Sequence, residues 1–415
     1  MHAVGAILAA IVIVVAIEAI YKCAAMSIRM KEERRNRQSD ASITDYDETV
    51  GDLNMVPDEL QVIPAGVEEE GSLIHFVDAI QKERPVRFSS EQLHAFTRNY
   101  AHRVGSGGFG VVYKGSFPDG TPVAVKLLRS ELMSRHAKEQ FTAEVGTIGR
   151  TYHVNLVRLY GFCLDATVKA LVYEYMDHGS LDRYIFNPPP EKTKVQFDVL
   201  HEIALGTAKA LRYLHEECAQ RIIHYDIKPQ NILLGADLVP KVADFGLARL
   251  CNREDTHLTI TGARGTPGYA APELWMPQPV THKCDVYSYG MLLFEVLGRR
   301  RNLEMGVHVH DSSQEWYPRW VWNRVEAGDM DAVLARAISP SLCVNSWVGR
   351  EKAERMCKVA LWCVQYRPED RPSMGSVVRM LEGEDQIAAP RNPFAHLAAY
   401  NGTPTTIHSG QSTSD

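Results

Sequence analysis

The sequence predicts an α+β chain in which a small strand-rich lobe precedes a larger helix-rich lobe, behind one N-terminal transmembrane helix. Three observations carry this reading. Residues 3–21, AVGAILAAIVIVVAIEAIY, are almost wholly apolar, and ~20 such residues cross a bilayer. Residues 101–176 are dominated by β-rich runs around Gly-containing turns. From residue 197 to Gly383 the apolar spacing is mostly helical. Strands followed by helices, rather than alternating with them, form segregated layers.

The apolar run carries one acid, Glu18, near its end, where the side chain can reach the interface. Only Met1 and His2 precede it. Lys22, Arg29, Lys31, Arg34, Arg35 and Arg37 follow, so the positive-inside rule places everything after residue 22 in the cytosol. The expectation is a single-pass protein of the plasma membrane with almost nothing outside it. A cleaved signal peptide is the competing reading, but a basic n-region is missing. Cys23, beside the span, is either a plain thiol or a palmitoylation site. Residues 22–91 read as a cytosolic juxtamembrane linker. Its first part is basic and suited to anionic headgroups, and residues 40–70 are acidic and too polar to fold alone. Order begins near RFSSEQLHAF, where Ser89 and Gln92 can form a capping box.

The remaining composition is that of a globular protein, 45% hydrophobic and 23% charged. A net charge of −6 argues against nucleic acid as a partner. Eight scattered cysteines, without CxxC or Cys/His zinc spacing, read as reduced buried thiols. The folded part is expected over residues 92–385, with an N-lobe at 92–176, a C-lobe at 177–385 and the boundary near EYMDHGS. Residues 386–415, rich in Pro, Ser, Thr and Gly, read as a disordered tail.

VGSGGFGVVYKGSF places Gly105, Gly107 and Gly110 in G-x-G-x-x-G spacing. The β-branched residues after them lead into the turn PDGT, so the glycines cap a hairpin rather than open a helix. There the backbone of Gly105, Ser106, Gly107, Gly108, Phe109 and Gly110 can approach phosphates and aim N–H groups at them. Alone the pattern is weak, and an ordinary glycine hairpin explains it as well. VAVK then fixes Lys126 on the next strand, because a flexible ammonium stem must be aimed. SRHAKEQFTAEVGTIGR, of helical periodicity, brings Glu144 to hold that ammonium. HYDIKPQN supplies Asp226 to accept the proton of an attacking hydroxyl, and Lys228 to neutralise the transferred group. It also supplies Asn231, a neutral oxygen for a hard metal, and DFG adds the carboxylate of Asp244. Mg²⁺ needs few protein oxygens beside phosphate and water. Positioning, metal and positive charge are what phosphoryl transfer asks of a protein.

In this order, with APE at Ala271–Glu273 and with CDVYSYG and RPSM further on, the motifs resemble those of eukaryotic protein kinases. The resemblance covers residues 92–385. It implies ATP and Mg²⁺ as cofactors, Val112 and Ala124 against the adenine, the backbone of Glu174 and Met176 at its edge, and Tyr173 behind it. It also implies that Asp285 anchors the catalytic loop, that Arg371 pairs with Glu273, and that His224 only packs.

LVYEYMDHGSLD, GTPGYAAPE and ALWCVQYRPEDRPSM look like plant receptor-like kinases, which group with the interleukin-receptor-associated kinases of animals. HYDIKPQNILL with GRRRN resembles the rust-resistance type of cereals. Lys228 and GTPGY imply serine or threonine as acceptor, with Thr266 shaping its pocket. The implied partners are protein substrates and a co-receptor or other membrane partner, in receptor-type defence signalling.

One position departs from the family. Tyr225 stands where most members carry an arginine that pairs with a phosphate on the activation loop. A hydroxyl cannot replace a guanidinium there. The groups needed for chemistry remain, so the expectation is an active kinase that does not require phosphates on Thr256, Thr259 or Thr261. Arg249 is near enough in sequence to substitute in part. A pseudokinase or signalling scaffold is the alternative. The aromatic stretch WYPRWVW, residues 316–322, is either a partner surface or core packing.

Overall fold

A computed structural model describes residues 85–107, 110–128, 135–165, 168–186, 195–252, 265–276, 279–303, 316–335, 337 and 346–398. The expected transmembrane helix, the linker up to residue 84, Gly108, Phe109, Thr256, Thr259 and Thr261 lie outside the described residues. No helix among the described residues is long and apolar enough to cross a membrane.

Strand β1 (Val86–Arg87) and helix α1 (Ser90–Phe96) open the N-lobe. The expected capping box is formed: Gln92 N donates to Ser89 Oγ at 3.2 Å, and Ser89 N donates to Gln92 Oε1 at 2.8 Å. Next come β2 (Arg103–Gly107), β3 (Gly110–Ser116), β4 (Pro122–Leu128), α2 (Arg135–Thr147), β5 (Leu159–Leu164) and β6 (Lys169–Glu174). They form one sheet in the order β1-β5-β6-β4-β3-β2, antiparallel except that β1 runs parallel to β5. Gly161 makes that first pairing possible, since a Cβ there would lie 2.1 Å from the Val86 carbonyl oxygen. The lobe therefore starts before residue 92, its expected boundary. A two-residue strand is too short to leave a periodic signal.

The sheet has two buried faces, as period-2 alternation requires. On β6, Ala170 and Val172 join Leu93, Val123, Val125 and Cys163 under α1, while Leu171 and Tyr173 join Phe141 and Ile148 on the α2 side. This second face is continuous with the core of the C-lobe.

The C-lobe contains β7 (Gly179–Ser180), α3 (Asp182–Phe186) and α4 (Phe197–Arg212), which ends in a π turn over Tyr213–Glu217. Then follow β8 (Arg221–Ile223), β9 (Ile232–Leu234), β10 (Pro240–Val242) and β11 (Arg249–Cys251). The helices α5 (Lys283–Gly298), α6 (Tyr317–Glu326), α7 (Met330–Leu334), α8 (Ser346–Cys363), α9 (Met374–Glu382) and α10 (Ala395–Ala398) complete it. Helix α4 buries the stripe Leu200, Ile203, Ala204, Ala208 and Leu211. Helix α5 is buried on every side from Cys284 to Gly298, which marks it as the central helix. The short sheets β10-β9-β7 and β11-β8 hold the loops that matter for function. Sequence periodicity, which reads this lobe as helices and polar loops, passes over strands of two or three residues.

Residues 316–322 are core packing: Tyr317, Val321 and Trp322 are buried, and Trp316 meets Phe394 with ring centroids 4.8 Å apart. The expected disorder from residue 386 does not hold through residue 398. Trp362 Nε1 donates to the Ala388 carbonyl at 3.0 Å, Gln365 Nε2 to that of Arg391 at 2.9 Å, and Phe394 is buried. Polar composition hides a strap anchored by one aromatic residue. The six described cysteines are free and buried, as expected.

Candidate active site

Strand β4 lies inside the sheet, paired with β3 and β6, and so aims Lys126 at a fixed point. Its ammonium is 2.7 Å from Glu144 Oε1 on α2 and 2.9 Å from Asp244 Oδ1 in the C-lobe. Burial alone would lower the Lys126 pKa, but the Asp244 and Glu144 carboxylates outweigh it and raise it. Asp244 goes the other way: burial opposes its charge, yet the Lys126 ammonium holds its carboxyl below the ordinary value. One cation cannot satisfy two buried carboxylates. Burial therefore pushes Glu144 up to about 7 despite Lys126. The hydroxyl of Tyr173, at the end of β6, donates to the second oxygen of Glu144.

The catalytic loop spans β8 to β9. His224 N and Tyr225 N donate to the two carboxylate oxygens of Asp285 at 2.7 and 2.8 Å, and His215 Nε2 lies 2.9 Å from the first of these. Asp285 is fully buried on α5, so the loop hangs from the central helix. Those bonds hold Tyr225 at φ +68°, a conformation that L-residues rarely adopt. The Tyr225 side chain is 2% exposed and belongs to the hydrophobic core.

Asp226 stands at the centre of a hydrogen-bonded cluster. Lys228 Nζ donates to Asp226 Oδ2 and to Thr266 Oγ1, both at 2.8 Å, and Thr266 Oγ1 donates to Asp226 Oδ1 at 2.5 Å. Asn231 Nδ2 donates to the Asp226 carbonyl at 2.8 Å and to Oδ2 at 3.1 Å. Asn231, with its amide nitrogen so engaged, lines the same cavity as Asp244. Asp244 is left-handed, at φ +65°, and the following Phe245 ring packs on His224 at 4.7 Å. His224 packs rather than reacts, with Nε2 3.0 Å from the Ala243 carbonyl. The loop bearing Thr266 is fastened further on by the fully buried, bidentate pair Arg371–Glu273, at 2.6 and 2.9 Å.

A cavity of about 370 Å³ opens between the lobes, within the range of small-molecule sites. Gly105, Ser106, Val112, Ala124, Lys126, Glu144, Glu174, Met176, Asn231 and Asp244 all line it. Gly107 and Gly110 pair across the hairpin above it. A Cβ at Gly110 would lie 2.1 Å from the Leu127 carbonyl oxygen, so this position requires glycine. Glu174 turns its carboxylate to Lys241 Nζ at 2.9 Å and to Arg158 N at 2.7 Å, and its own N–H donates to the Arg158 carbonyl at 3.1 Å. Asp226 and Lys228 adjoin the cavity through Asn231 rather than lining it. Sequence reasoning misses Val104, Val157, Leu233 and Ala243, which also line it. An apolar residue carries no sequence signal that separates a ligand wall from ordinary core.

A small antiparallel lobe, a helical lobe and a cavity between them with these groups at its floor define the protein kinase fold. The family described as protein kinase domain matches residues 98–381, more than half the chain, and the chain belongs to that family. It is 42% identical over 318 residues to leaf rust 10 disease-resistance locus receptor-like protein kinase-like 2.2 of Arabidopsis thaliana, covering 76% of this chain and 48% of that one. It is 41% identical over 324 residues to rust resistance kinase Lr10 of Triticum aestivum, covering 77% and 49%. A G-type lectin S-receptor-like serine/threonine-protein kinase of Arabidopsis thaliana is 44% identical over 312 residues, covering 75% and 34%. The chain thus spans about half the length of the rust-resistance relatives and about a third of the lectin-type one.

Proposed function

We propose that this chain transfers the γ-phosphate of ATP to serine or threonine hydroxyls of proteins. The observation that carries the reading is the meeting of two clusters at one cleft: Lys126–Glu144–Asp244 and Asp226–Lys228–Thr266. The donor set fits a magnesium nucleotide, with a carboxylate on Asp244 and an amide oxygen on Asn231, both hard ligands. Bound Mg²⁺ would neutralise charge on the phosphate oxygens.

The chain's own residues supply the rest. Gly105, Ser106, Gly107, Gly108, Phe109 and Gly110 cover the phosphates, and Val112 and Ala124 enclose the base beside the backbone of Glu174 and Met176. Lys126, aimed by Glu144, binds phosphate oxygens. The incoming hydroxyl takes the place of Thr266 Oγ1 as partner of Asp226: Asp226 orients that hydroxyl and accepts its proton at Oδ1. Lys228, already beside Asp226 Oδ2, offers its charge to the group in flight.

The names of the relatives support receptor-type signalling in plants, with a membrane-anchored chain, protein substrates and a co-receptor or other membrane partner. Residues 3–21 would be the anchor, and the cytosolic linker expected over residues 22–91 would join it to the kinase domain. The test is phosphoamino-acid analysis of a general protein substrate after incubation with the full chain and Mg²⁺-ATP. Phosphoserine or phosphothreonine that disappears with Lys126→Met supports the reading. Nucleotide binding without transfer would favour the scaffold instead.

A further inference from the structure

Two arginines, one lining the cleft and one packed on the same short helix, have no part in the reaction above. Arg183 lines the cavity beside Gln230 and Asn231. Arg301, which follows α5, stacks its guanidinium on the Phe186 ring at 4.3 Å. Arg183 and Phe186 are i and i+3 on α3, so they share a face of that helix. Arg183 and Arg301 therefore both belong to the surface around α3. Both side chains are exposed. Neither makes an ion pair among the described residues.

This surface leads to the acceptor site. Arg301 acts electrostatically on Tyr269 and Glu295, and the Tyr269 amide donates to the Thr266 carbonyl at 3.1 Å. Thr266 in turn bonds Asp226, where the acceptor hydroxyl must come. Two carboxylates share the region, and both are engaged. Asp182 accepts from Ser180 Oγ at 2.6 Å, and Glu295 is buried beneath Tyr269, whose hydroxyl donates to it at 2.7 Å. The floor adds Gln230, neutral, between Lys228 and Asn231. Thr266 thus flanks Asp226 on one side, and Arg183 lines the cavity that Asp226 adjoins through Asn231.

We infer that Arg183 and Arg301 select substrate segments with acidic or phosphorylated side chains on one flank of the acceptor serine or threonine. The inference rests on the phosphotransferase reading and adds the class of substrate. Exposed ion pairs are individually weak, so the selection is modest, and it is sensitive to salt.

The test compares three peptides with one acceptor serine: Glu-rich on its N-terminal flank, Glu-rich on its C-terminal flank, and Lys-rich on both. The full chain is assayed with Mg²⁺-ATP at low salt and at high salt. One of the Glu peptides is expected to exceed the Lys peptide about fivefold in kcat/KM, by two exposed pairs, with the excess shrinking at high salt. Arg301→Glu should abolish or reverse the preference while leaving transfer to a neutral peptide unchanged. Arg301→Gln, which cannot repel, should only abolish it, and Arg183→Glu/Arg301→Glu should favour the Lys peptide. Equal rates for all three peptides, or a Lys preference in the wild type, would overturn the inference and leave the kinase reading intact. No transfer to any peptide or to the chain itself would overturn both.

Discussion

The hydroxyl of Tyr173 donates to the carboxylate of Glu144 that also holds Lys126. The two residues come from β6 and α2, so this hydrogen bond, together with the Lys126 pair, ties the helix to the sheet. Tyr173→Phe keeps the ring and removes the bond. One buried hydrogen bond is worth ~1 kcal/mol, so a fall of about fivefold in kcat/KM for ATP is expected. Steady-state kinetics check it. An unchanged value would show that Lys126 alone positions Glu144.

Two carboxyls titrate near neutrality, with opposite readouts. Burial raises Glu144 from 4.5 to about 7, so its pairing with Lys126 is complete only above that pH. Nucleotide affinity should therefore rise from pH 6 to pH 8, and Glu144→Gln should flatten the profile at a lower level. Burial also raises Glu295 from 4.5 to about 7, against the hydrogen bonds from Tyr269 and Asn302. Between those values the folded chain keeps a proton that the unfolded chain has released, so stability falls as pH rises through the window. Glu295→Gln should raise Tm at pH 8 and leave it nearly unchanged at pH 4. Calorimetry at the two pH values checks the sign.

Asp285→Ala leaves the buried amides of His224 and Tyr225 without their acceptor. At ~1–3 kcal/mol each, the loss is roughly 2–6 kcal/mol. Asp285→Asn, which keeps one carbonyl oxygen, should be milder in Tm yet still lower kcat, because the turn at Tyr225 is strained and its amide is held from α5. Equal Tm for wild type and Asp285→Ala would mean that other contacts carry the loop.

Tyr225 is interior, 2% exposed among apolar neighbours, so it offers no charge to a phosphate. The combined Thr256→Ala, Thr259→Ala and Thr261→Ala variant should keep at least half of the wild-type activity. A loss of more than tenfold with unchanged Tm would restore loop phosphorylation as a requirement and direct attention to Arg249.

The N-lobe hairpins and the residues that meet at the cleft were legible in the sequence, for a physical reason. Gly105, Lys126, Asp226 and Asp244 sit in short contiguous motifs whose residue types the reaction dictates. What stayed hidden depends on contacts distant in the chain. Nothing near Gly161 announces that a strand from residue 86 will lie 2.1 Å from where its Cβ would be. Nothing in the Pro-rich run after residue 386 announces that Phe394 will anchor it beneath Trp316. The bond from Tyr173 to Glu144 joins two residues that the sequence singled out separately and whose meeting it did not show.

The most direct measurement is phosphate transfer from Mg²⁺-ATP by the purified full chain, beside an Asp226→Asn variant that keeps the shape of the carboxylate and removes its basicity. The expected result is phosphate on serine or threonine in the wild type and a loss of at least a hundredfold in the variant, with nucleotide binding unchanged in both. Equal transfer by the two proteins, or none by a folded wild type that binds nucleotide, would contradict the assignment of Asp226 and with it the reading of this cleft as a working phosphotransferase.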